Sequence, residues 1–235
     1  MITRNYINTH FVVLSRLSAA TACCAVLLLL RVKLLNSFFL LFLVWNLILA
    51  YVPFVLSSYL LHREKASKLR TLILGLVWLA FLPNAPYILT DLIHLQLSTP
   101  FSIEFILDAS VIVSFALTGI WLYVLSVQQM KLVFKRHASA RWLNLFFYLL
   151  PFLVSFGVYL GRFLRFNSWD ILVNPLVLLQ DILNLVLHPF QYKMGWFFIL
   201  GFAMLLLLMT KIFTGYMASA TPSPPQNPAD MKNVL

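Results

Sequence analysis

Asp91, Glu104, Asp108, Asp170 and Asp181 fall in stretches that also carry His94, His188, Arg162 and Arg165, in a chain that is 62% hydrophobic and only 10% charged. An ionisable side chain at bilayer depth costs roughly 2.5–3.5 kcal/mol on insertion scales, so it tends to face a cavity, a partner or a substrate path. Asp91 and His94 stand three positions apart, hence on one face of a helix. An Asp-x-x-His pair supplies two metal ligands, or a carboxylate that orients an imidazole as general base. Asp91 and His94 are therefore the candidate catalytic residues. The plainer alternative is an Asp and a His solvated at a helix end. Together with His188 they make one carboxylate and two imidazoles, a set that a divalent metal such as zinc accepts.

Arg162 and Arg165 precede a polar turn that holds Asn167 and Asp170. Guanidinium forks match phosphate or carboxylate oxygens bidentately, which makes this stretch, with Asn84 and Asp108, the candidate substrate-binding set. Internal ion pairing is the competing reading. Glu104 and Asp108 are four apart at a helix start, where the macrodipole favours acids but like charges repel mildly. Carboxylates at a low-dielectric boundary need a counter-charge, so Arg162 or Arg165 is expected within salt-bridge reach of at least one of Asp91, Asp108, Asp170 and Asp181. Asp108, which a cation or one of these arginines would relieve, reads first as an ion-pair partner.

These residues must be positioned by apolar segments. Runs at about 11–30, 38–61, 71–94, 103–127, 142–160 and 195–214 are each near the roughly 20 residues needed to cross a bilayer. The expected fold is an all-α polytopic transmembrane bundle of six spanning helices. The third run is interrupted by Pro83 and Pro86, which break the hydrogen-bond ladder on either side of Asn84. Interrupted membrane helices must be lined by protein or water, and transporters build substrate sites from them. A simple kink, with Asn84 satisfying the loosened backbone, is the alternative. Between the last two runs, Asn174 and Pro175 read as N-cap and first helical residue, with a stop at Pro189. A helix from Pro175 to His188 would be about 21 Å long, short of a roughly 30 Å core. It is expected to be re-entrant or interfacial, with Asn174, Asp181, Asn184 and His188 on one face turned toward the site. A seventh crossing that begins near Trp169 is the alternative.

The net charge of +10 does not indicate a nucleic-acid partner, because lysines and arginines sit in short links between apolar runs. Links carrying Arg63, Lys65, Lys68 and Arg70, and Lys131, Lys135, Arg136 and Arg141, place that side and both termini in the cytoplasm, as expected of an inner-membrane protein. Arg31, Lys33, Arg162, Arg165 and Lys193 run against the bias. Adjacent Cys23 and Cys24 lie within an apolar run and read as packing residues. The first run reads as an uncleaved signal anchor. Residues 1–218 are expected to form the membrane domain, and the Pro-rich stretch 219–235 a disordered cytoplasmic tail. There is no Gly-rich phosphate loop, Gly-x-Ser-x-Gly elbow or His-Glu-x-x-His motif, which excludes a one-chain ATP-driven pump.

Trp45-Asn46 through Pro53, Leu82-Pro83-Asn84-Ala85-Pro86-Tyr87 through Thr90-Asp91-Leu92-Ile93-His94, and Gly161-Arg162 through Trp169-Asp170 together resemble a family of uncharacterised bacterial multi-pass membrane proteins, over about Phe38 to Thr214. The resemblance implies an integral protein of a bacterial-type envelope and carries no activity or ligand. Three functions follow from the residues themselves. The first is an outward-facing Asp/His/Arg pocket for an envelope substrate, lipid-linked or anionic, in contact with membrane lipids. The second is a transporter or channel that uses the break at 83–86, with Asp108 as proton or cation carrier. The third is an accessory subunit whose charges staple helix ends together.

Overall fold

The computed structural model describes residues 2–63, 67–97, 99–100, 102–166 and 173–219, with backbone only for 2–10, 97 and 216–219. The described residues contain helices and no strand. In chain order these are α1 (Ile2–Leu35), a 3-10 turn (Phe39–Leu41), α2 (Phe42–His62), α3 (Lys68–Phe81), α4 (Asn84–Tyr87), a 3-10 helix (Ile88–Leu97), α5 (Ile103–Phe134), α6 (Ala140–Arg162), α7 (Pro175–Leu187) and α8 (Lys193–Ser219). Six stretches are long and apolar enough to cross a membrane: Phe11–Leu35, Phe39–His62, Lys68–Gln96, Ile103–Phe134, Ala140–Arg162 and Lys193–Gly215. The chain is a helical integral membrane protein, and α7 is its shorter apolar helix. The expected Pro-rich tail, from residue 220 on, lies outside the described residues.

The bundle is organised around α5, the most buried of the six stretches, against which α1, α2, α4 and the 3-10 helix pack. Helices approach closely in membranes where side chains are small. A Cβ on Gly119 of α5 would collide with the carbonyl oxygen of Ala85, and one on Gly157 of α6 with the ring of Pro83. The interrupted segment is therefore clamped between two glycines. At the opposite end, Arg136 caps α2 by donating to the carbonyls of Leu61 (2.8 Å) and Leu60 (3.4 Å). These are acceptors that the helix end leaves unsatisfied. This contact and the Thr71–His137 contact of 3.4 Å gather the basic links at one end of the bundle.

The double-proline segment breaks in a specific way. The amide of Ala85 bonds Leu82 O (3.2 Å) rather than the carbonyl four residues back, and Asn84 Nδ2 takes the vacated Phe81 O at 2.9 Å. A side-chain amide thus replaces the lost backbone donor. Beyond Tyr87 the chain continues as a ten-residue 3-10 helix, where runs beyond 3–4 residues are uncommon. Residues i and i+3 eclipse in this geometry, so Ile88, Asp91 and His94 form one ridge along the helix.

In α7, Pro175 does occupy the first turn, but the Asn174 side chain makes no capping bond. The expected orientation of this helix is corrected. Leu178 and Ile182 face the rest of the bundle, Asn174 and His188 are exposed, and Asp181 and Asn184 are only half-buried. The reason is that α7 is anchored by apolar contacts. Buried Leu185 joins Tyr159 and Ile199, and Trp196 Nε1 donates to Leu185 O at 3.1 Å.

Candidate functional site

Three elements converge on Asp91. The 3-10 ridge carries its carboxylate inward to full burial. From α2, Asn46 Nδ2 donates to Oδ2 at 3.0 Å, and from the last residue of α6, Arg162 Nη1 donates to Oδ1 at 3.0 Å. The charge is thereby paired and hydrogen-bonded, as burial requires. His94 Nε2 lies 3.8 Å from Asp91 Oδ1 and 3.4 Å from Arg162 Nη2. A guanidinium has no acceptor, so in that contact the imidazole nitrogen accepts. The imidazole is gripped edge-on by Phe39 and Phe42, at 5.6 and 5.2 Å between ring centroids.

A cleft of about 470 Å³ opens beside this cluster. Asn46 and Tyr87 belong to both. Asn46 lines the cleft and holds Asp91, whereas Tyr87 lines it beneath the Arg162 guanidinium, 5.9 Å from ring centroid to Cζ. Asn84 also lines the cleft, and Leu178 and Ile182 of α7 close one side of it. Chemically, Asp91 is buried, with one oxygen accepting from Arg162 and the other from Asn46, an arrangement that can hold the guanidinium in place. Arg162 keeps a side chain that is 17% exposed and uses two of its five N–H donors in the contacts above. His94, 26% exposed, is the accessible titratable group.

Asp108 does not join this cluster. It is buried and accepts from Arg31 Nε at 2.8 Å, while Arg31 Nη1 donates to Ser37 O at 2.7 Å. Asp108 is an ion-pair partner as expected, but of Arg31 rather than of Arg162 or Arg165, and it is Asp91 that Arg162 reaches. The helix α1 runs on past Leu30 and brings Arg31 to the start of α5, a partner far nearer in space than in sequence. Arg165 is exposed in a left-handed turn, φ 62°, where the amide of Phe166 returns to Leu160 O at 3.1 Å. Asn167 and Asp170 lie outside the described residues. His188 ends α7 in an exposed position and does not complete a three-ligand group with Asp91 and His94. The expected metal set is not assembled, because α7 turns leucine and isoleucine inward.

Two participants escaped the choice of site residues. Asn46 was legible as a polar residue within an apolar run, and Arg31 as a charge against the positive-inside bias. A family model described as "Protein of unknown function (DUF1361)" matches residues 45–209. No curated protein and no solved structure matches the chain.

Proposed function

The chain belongs to that family of unknown function, the match covering more than half of its length, and we propose on the site's own chemistry that it binds an amphipathic envelope substrate in the cleft beside Asp91, Arg162 and His94. The observation that carries this reading is the shared wall. Asn46 and Tyr87 line an otherwise largely apolar cleft and also touch the charged cluster. A cleft of this size falls within the roughly 300–1,000 Å³ typical of small-molecule sites, apolar with a few placed polar groups. An anionic headgroup would take the Arg162 donors that no described residue uses, and a lipid portion would lie against Pro83, Leu178 and Ile182. In an enzymatic version His94 is the general base and Asp91 holds Arg162 in place.

The test is site-specific photo-crosslinking in native membranes. A crosslinker at Leu49, inside the cleft, is expected to capture a phosphate-bearing lipid or lipid-linked molecule that a crosslinker at the outward-facing neighbour Ile48 does not. Identical adduct spectra at the two positions sink the proposal. With Arg162→Gln the Leu49 adduct per molecule of folded protein should fall, whatever the change in abundance.

A transporter reading draws on a second cleft of about 560 Å³ at the other end of α2. The two clefts share no lining residue, which favours binding at one face over passage through the bundle. Solute uptake by proteoliposomes that is abolished by Asn84→Ala would reverse that preference.

A further inference from the structure

The second cleft lies at the basic end, between α1, α2 and α5. Leu14 and Val55 on its walls are 52% and 57% exposed within spanning helices, so its side opens toward lipid rather than water. Phe54 forms part of the apolar floor. Its polar end is built rather than incidental. Gln129 Oε1 accepts from Ser57 Oγ at 2.7 Å and from Ser58 Oγ at 2.9 Å, which fixes the amide plane. Its Nε2, a donor only, has no partner among the described residues. Arg63 lines the same cleft, with its guanidinium held 5.3 Å over the Tyr59 ring, and no described carboxylate pairs with it.

Charge sharpens the assignment. The described acids, Asp91, Glu104, Asp108 and Asp181, sit at the far end of the bundle, whereas Arg63, Arg70, Lys131 and Arg136 gather here with no acid beside them among the described residues. Basic pockets between membrane helices hold anionic headgroups. We propose that this groove binds an anionic phospholipid, with its phosphate at Arg63 and Gln129 Nε2 and one acyl chain along Leu14, Phe54 and Val55. The lipid bridges α1 to α2, and the site is independent of whatever occupies the cleft at Asp91.

The experiment is native mass spectrometry of the purified full chain in detergent, doped with phosphatidylglycerol or with phosphatidylcholine. The wild type should retain one phosphatidylglycerol in preference to phosphatidylcholine. Arg63→Ala should reduce that retention about fivefold, the factor for one basic residue at a membrane surface, and Gln129→Leu should reduce it further. Lys135→Ala, exposed and outside the cleft, should leave it unchanged. Unchanged thermal unfolding of Arg63→Gln in detergent, with the same loss of lipid, separates binding from folding. Equal retention of the two lipids, equal retention by wild type and Arg63→Ala, or displacement of the lipid by inorganic phosphate would each overturn the assignment.

Discussion

At the scale of single residues, the protein keeps its buried charges by pairing each with a partner remote in sequence. Asp91 holds Arg162 across 71 positions and Asp108 holds Arg31 across 77. Breaking a buried pair strands the remaining charge, typically at about 3–5 kcal/mol, whereas exposed substitutions stay near 0.5 kcal/mol. Arg162→Ala should therefore lower stability by about 3 kcal/mol, the low end of that range, because Asn46 still satisfies one oxygen of Asp91. Lys135→Ala should be close to neutral. Denaturant unfolding in detergent measures both, and equal midpoints would show that the Asp91–Arg162 pair contributes nothing. For Arg31 and Asp108 the cycle is sharper. Arg31→Met and Asp108→Leu should each cost about 3 kcal/mol or more alone and far less together, since an apolar pair can replace a buried ion pair. Additive losses would argue that each residue acts through some other contact. Ser155 is the opposite case, a buried hydroxyl with no partner among the described residues. Ser155→Ala should be neutral or stabilise by up to about 1 kcal/mol in the same assay.

At the scale of elements, the working piece is the interrupted third segment. Its two prolines remove backbone donors, Asn84 takes the Phe81 carbonyl that the shifted Ala85 amide gives up, and the 3-10 continuation aligns Ile88, Asp91 and His94 on one ridge. Ten residues at about 2.0 Å rise span about 20 Å, against about 15 Å as α-helix, which carries His94 further along the bundle than an α-helix would. The clamp on this segment is steric. Gly119→Ala and Gly157→Ala each put a methyl into backbone or ring atoms that cannot swing aside. Each should cost about 1–3 kcal/mol and lower crosslinking from Leu49, whereas Gly201→Ala, with open space around it, should do neither. Crosslinking that survives Gly157→Ala would place the cleft's integrity elsewhere than in the docking of Pro83.

At the scale of the whole molecule, charge divides the bundle into a basic end and an end that carries the described acids. By the positive-inside bias the basic end would face the cytoplasm, an orientation that topology reporters test. Arg31, which runs against that bias, forms a pair with Asp108 that is neutral as a whole. Topology reporters fused after Arg70 and after Lys135 should read one compartment, and one fused after Leu164 the other. A reporter beyond Thr214 should read with Arg70. If it reads with Leu164 instead, α7 is part of a seventh crossing.

The class of the molecule was determined by the sequence alone. Six apolar runs of membrane-spanning length leave the backbone no option but helix, because lipid offers no hydrogen bonds. The break was equally plain, since two prolines around Asn84 announce it without any tertiary information. The face shared by Asp91 and His94 followed from their spacing. The partners did not, because local rules reach only three or four residues along a helix. That Asp108 belongs to Arg31, that His188 stays out of the site and that α7 turns its leucines inward depend on which helices end side by side. Those neighbours are set by close packing around α5, where Gly119 admits a backbone that any larger side chain would exclude.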